Sequence, residues 1–88
     1  MTGQYHRPVP ILRLFASARD AAGTARDTIG GTTVAEVLDE AMIRYGDPFA
    51  AVLRISKVWV NGEPASGDDP VTGTDEVAIL PPVSGGAQ

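Results

Sequence analysis

Polar and apolar positions begin to alternate at Ile11. In "ILRLFAS" Leu12, Leu14 and Ala16 share one face of an extended segment, and Arg13 and Phe15 share the other. Pro8 and Pro10 cannot donate ladder hydrogen bonds, so the strand is expected to start near Ile11. "ARDAAG" is short and closes on Gly23, which predicts one helical turn or a tight loop. Residues 25–29 read as a second short strand ended by Gly30-Gly31. The period then changes. Val34, Val37, Leu38, Ala41, Met42 and Tyr45 recur at spacings of three and four, one apolar helix face over 33–45. Thr33 and Glu36 form a capping box at its start, and Gly46 followed by Asp47-Pro48 stops it. Glu36, Asp39, Glu40 and Arg44 take the wet side.

"FAAVLRI" fits a short helix or a strand. "KVWVNGEP" reads as a strand with a turn at Asn61-Gly62. "SGDDPVTGTDE" is a loop dense in turn residues, and "EVAILPP" is a last strand that ends where prolines stop ladder pairing. The order β-β-α-β-β, with one long amphipathic helix, requires a sheet to cover that helix. The expected class is α+β, a small mixed sheet on one main helix. Leu12, Leu14, Val37, Leu38, Met42, Val58, Val60, Val77 and Ile79 are the candidate core.

Composition narrows the chemistry. The chain has 88 residues, 43% apolar and 20% charged, enough for one modest core. It has no cysteine, which excludes disulfides, thiolate metal sites and a cysteine nucleophile. His6 is the one histidine and has no ligand companion at metal-binding spacing. "GGTT" at 30–33 lacks the length and lysine of a phosphate-binding loop and reads as a turn feeding the Thr33 cap. Asp68-Asp69 reads as a solvated turn, and Trp59 as core or interface. No catalytic set is present, and no bound cofactor is expected. The net charge is −4, with six scattered arginines and one lysine, Lys57, which gives nucleic-acid binding little support. That acidity fits a partner with a basic docking surface, or plain solubility. Apolar runs are far below membrane-spanning length, so a soluble cytoplasmic protein without membrane contact is expected.

What remains is the end, "LPPVSGGAQ": Leu80, stiff Pro81-Pro82, Val83 and Ser84, then Gly85-Gly86 and Ala87-Gln88. Taken alone, it reads equally as a frayed terminus. It stands in a longer pattern, however. Val60-Asn61, Asp75-Glu76-Val77-Ala78 and Pro81 to Gly86 follow the "VN…DEVA…PPV(S/T)GG" signature, and Phe15-Ala16 with Ala18-Arg19-Asp20 follows "FA…AR(E/D)". In order and spacing, residues 11–86 resemble the ubiquitin-like sulfur carriers, most of all the small subunits of molybdopterin synthase.

The resemblance implies a β-grasp domain over 9–82, with flexible tails at 1–8 and 83–88. It implies that Gly86 is adenylated by an ATP-using, E1-like activating enzyme, converted to a thiocarboxylate, and presented to a large synthase subunit for molybdenum cofactor biosynthesis. Gly85, Ser84, Val83, Pro82, Pro81, Leu80 and Phe15 would then be tail and partner-binding residues. Phe15 is either interface or second-layer core. Glycine leaves the attacked carbonyl uncrowded, and residues 83–86 can reach roughly 13 Å when extended. Ala87-Gln88 depart from the family pattern, which ends at the second glycine. Three readings stand: a protease trims them, the chain docks without carrying sulfur, or the two residues are extraneous. A carrier for thiamine, cysteine or another thio-metabolite, and a pure β-grasp interaction module, are the alternative functions.

Overall fold

The computed structural model describes residues 9–82. Strand β1 (Ile11–Leu14) starts directly after Pro10, as the missing proline donors require. Helix α1 (Ala16–Ala22) is longer than the expected single turn. Its alanines are strong helix formers, and Ala18 is fully buried. Gly23 ends it at φ 80°, its N–H bonded to the Arg19 carbonyl at 2.9 Å. Strand β2 (Arg26–Thr28) pairs antiparallel with β1.

Helix α2 (Val34–Tyr45) is the long helix of the expected class. The Thr33 hydroxyl accepts from the Glu36 N–H at 3.2 Å. The Glu36 carboxylate reaches back one residue further than in the usual box, accepting from the Thr32 N–H at 2.8 Å and the Thr32 hydroxyl at 2.9 Å. These contacts hold the Glu36 carboxyl below its ordinary pKa, the Thr32 N–H being the larger cause. Gly31 lets the preceding loop lie on the first turn: a Cβ there would sit 2.9 Å from the Val37 methyl. The long loop before the last strand is anchored at the same place. Val34 N–H bonds Asp69 O at 2.9 Å, Ala35 N–H bonds Gly67 O at 3.0 Å, and Val71 is buried. The loop thus satisfies donors that the helix start cannot satisfy itself.

The ambiguous "FAAVLRI" is helical. Helix α3 (Asp47–Arg54) opens with Pro48 in its first turn and buries Phe49 completely. Strands β3 (Lys57–Val60) and β4 (Glu63–Pro64) make a hairpin whose turn residues Asn61 and Gly62 both have positive φ, 52° and 85°. Strand β5 (Glu76–Leu80) pairs parallel with β1 and antiparallel with β3.

The sheet order is β2-β1-β5-β3-β4, so the last strand is the central one. This mixed five-stranded sheet on α2 is the β-grasp arrangement implied above, with α1 and α3 added to the one main helix. Leu12, Leu14, Val37, Val77 and Ile79 are buried as expected. Leu38, Met42, Val58 and Val60 are only partly buried against that core. Ala18, Ile29, Val34, Ala41, Phe49 and Val71 complete it. The expected tails at 1–8 and 83–88 lie outside the described residues.

Candidate functional site

Because β5 is central, the chain leaves the sheet between the end of β1 and the start of β3. Leu80 is the last ladder residue, opposite Lys57. Pro81 is buried and Pro82 exposed. Neither proline can donate to a ladder, so pairing stops and the chain is directed outward at a fixed φ. Phe15 continues β1 by one residue: its backbone is extended and its N–H reaches the Ile79 carbonyl at 3.3 Å. Ala16 then turns sharply into α1 at φ 51°. That left-handed angle costs a non-glycine residue on the order of 1 kcal/mol.

The two faces of the sheet follow from register. Leu12, Leu14, Val77 and Ile79 are buried under the helices. The alternate positions, Arg13, Ala78, Leu80, Lys57 and Trp59, therefore share the open face. Pro64 lies opposite Trp59. Phe15 is 39% exposed, which removes the second-layer core alternative and leaves it on this open face. The Arg13 guanidinium lies 5.6 Å from the Phe15 ring centroid and 3.0 Å from the Glu76 carboxylate. Both members of that pair are more than two-fifths exposed, so it contributes at most about 1 kcal/mol. Its effect is to hold a cation over the aromatic ring at the rim.

The structure thus brings Phe15, Leu80, Pro81 and Pro82 together at the exit. Val83, Ser84, Gly85 and Gly86 lie outside the described residues. Arg13, Lys57, Trp59 and Pro64 are the additional open-face residues. Alternation in "KVWV", with Val58 and Val60 turned inward, is the sequence signal that carried Lys57 and Trp59.

A second constellation explains part of the signature itself. The Asn61 amide donates to Asp75 Oδ1 at 2.8 Å, and its oxygen accepts the Glu76 N–H at 2.9 Å. Asp75 also accepts from the Thr72 N–H at 2.7 Å. Hydrogen bonds from Asn61, and then from Thr72, hold the Asp75 carboxyl below its ordinary range. The asparagine of "VN" and the aspartate of "DEVA" are therefore one clasp, tying the hairpin turn to the entry of β5. The clasp fixes where β5 begins relative to the hairpin. Among the described residues, no group of three His, Cys, Asp or Glu side chains is arranged to hold a metal ion. No helix among them is long and apolar enough to cross a membrane.

Known proteins share this fold. The chain is 37% identical over 75 residues to the molybdopterin synthase sulfur carrier subunit of Escherichia coli (strain K12), covering 82% of this chain and 93% of that one. The solution structure of small archaeal modifier protein 1 from Methanosarcina acetivorans superposes with a TM-score of 0.74 at 28% identity, covering 92% of this chain and 99% of that one. A complex of subunits 1 and 2 of the molybdopterin-converting factor from Helicobacter pylori contains the same fold, with a TM-score of 0.65 at 19% identity over 89% of this chain and 99% of that one. The model of the ThiS family matches residues 12–86, from the first buried strand residue to the second glycine, and the chain belongs to that family of ubiquitin-like sulfur carriers.

Proposed function

We propose that the chain is the small, sulfur-carrying subunit of a molybdopterin synthase, with Gly86 as the carrier residue. The observation that carries this reading is the exit of the chain from a central strand, at the rim of an open apolar face, directly into a Pro-Pro-Val-Ser-Gly-Gly segment. A partner that covers Phe15 and Leu80 also receives whatever follows Pro82.

The chemistry needs a free carboxylate at Gly86. One carboxylate oxygen attacks the α-phosphate of ATP on an activating enzyme, forming the glycyl adenylate and releasing pyrophosphate. A sulfide-level sulfur then attacks the carbonyl, the C–O bond to AMP breaks, and a thiocarboxylate remains. The large subunit receives that terminus, and its pterin substrate takes the sulfur. The carrier itself supplies no acid, base or metal, and ATP is used by the activating partner. Where Ala87-Gln88 are present, a protease must first cleave after Gly86. We place these steps in the cytoplasm, where ATP and the partner enzymes are.

Deleting residues 83–88 is the direct test of tail-dependent docking. The truncated chain is expected to bind the synthase large subunit at least about tenfold more weakly, a loss of about 1.4 kcal/mol, with an unchanged melting temperature. Equal affinity for the two forms would remove the tail from the interface.

A further inference from the structure

The open face is electrostatically unlike the rest of the chain. The molecule carries a net charge of −4, and Glu36, Asp39 and Glu40 are exposed on α2, on the far side of the sheet. Among the described residues, the carboxylate on the open face beside the apolar strip, Glu76, is taken by Arg13. Across the strip stands Lys57, exposed, opposite Leu80 in the ladder, and paired with no carboxylate among the described residues. It borders a groove of about 410 Å3 lined by Ser56, Lys57, Val58, Trp59, Pro64 and Ala65. The Ser56 hydroxyl is already committed to the Val52 carbonyl at 2.7 Å. The groove therefore offers an indole and a proline ring as apolar walls and one side-chain cation at its mouth.

We infer that this groove is a specificity pocket for a carboxylate-bearing loop of the large subunit: an apolar side chain packs on Trp59 and Pro64, and a neighbouring Asp or Glu pairs with Lys57. The inference rests on the docking proposed above and adds the sign of the partner's surface. The chain's overall acidity would suggest a basic partner, but the face continuous with the tail exit selects an acidic one. Burial beside the indole excludes water from the pair, which strengthens it relative to a rim contact. A cation brought to the same groove would meet Lys57 and be rejected.

The test titrates the large subunit from the same organism into the wild-type chain, Lys57→Glu, Lys57→Arg and Lys57→Ala, at low and high salt. Each is made in the full chain and in a chain ending at Pro82. Lys57→Glu is expected to weaken binding about tenfold or more, mainly through faster dissociation as for a pair taken out of water, and Lys57→Arg to stay within about threefold. Lys57→Ala should flatten the salt dependence. The same ratios are expected in the chain ending at Pro82. Lys57 is exposed, so melting temperatures should not move. Unchanged or tighter binding by Lys57→Glu would overturn the pocket, tighter binding because it reveals a basic partner surface. A Lys57→Glu loss with no effect of truncation would overturn the tail reading and leave the pocket standing. No binding by wild type would overturn both.

Discussion

Asn61 shows how much a single side chain settles here. Its φ of 52° is a conformation that asparagine tolerates better than most residues, and its amide spans the gap to Asp75 and Glu76. Asn61→Ala keeps the turn's unfavourable φ and loses both bonds. A loss of about 1–2 kcal/mol in denaturant unfolding is expected, because the bonds are exposed and only partly replaced by water. The turn at Asn61-Gly62 was legible as a dipeptide. The clasp was not, because its partners lie 14 and 15 positions on and no local period connects them.

Asp27 is the other decisive side chain. It accepts a short hydrogen bond from the Tyr45 hydroxyl and a bond from Arg44 at 3.0 Å, joining edge strand β2 to the end of α2. The Tyr45 bond first, and Arg44 with the Thr28 N–H after it, outweigh burial and lower its pKa from 3.8. Burial, and then the bond to Asp27, push Tyr45 up from 10.0 to about 12. The signs give a window. Asp27 has a depressed folded pKa, so its contribution is present above 3.8 and is lost as pH falls through the folded value. Tyr45 has a raised one, so its contribution is present below 10.0 and is lost as pH rises through about 12. Asp27→Asn should therefore flatten the acid limb of a stability-against-pH curve. In the same variant the phenol, read by its ultraviolet absorbance, should titrate lower than in wild type. A Tyr45 titration unmoved by the substitution would break the link.

At the scale of elements, periodicity was a good guide to α2 and to the strands, and a poor one to α1 and α3. A seven-residue and an eight-residue helix have too few turns for a stripe to stand out. In "FAAVLRI" a mixture of apolar and small residues satisfies both periods. Tertiary packing decides it: Phe49 is fully buried and meets Tyr45 edge-on, ring centroids 5.2 Å apart at 68°. The core is correspondingly centred away from Leu38, which only borders it. Phe49→Ala should cost about 3–5 kcal/mol, and Leu38→Ala less than the 2–5 kcal/mol of a fully buried leucine. Denaturant melts that rank Leu38 above Phe49 would place the core's centre on the wrong helix.

For the whole molecule, topology connects the fold to the proposed reaction. The last strand is central, so Pro81 and Pro82 leave the sheet from the rim of an open face and not from an edge strand. The fold class, the open-face position of Phe15 and the direction of the exit were all within reach of alternation and the motif together. The charge pattern was not, because net charge has no direction until the sheet assigns Lys57 and Arg13 to one side and the α2 carboxylates to the other. None of this makes Gly86 reactive by itself. Adenylation needs a carboxylate oxygen at that residue, and a peptide bond to Ala87 removes it. The measurement that bears on this most directly is intact mass. Chains ending at Gly86 and chains carrying Ala87-Gln88 are each incubated with the activating enzyme, ATP and sulfide. The Gly86 form is expected to gain the mass of one oxygen-to-sulfur exchange, while the longer form stays unchanged. A longer form that gains that mass equally fast, with Ala87 and Gln88 still attached, would contradict the assignment of Gly86 as the carrier residue.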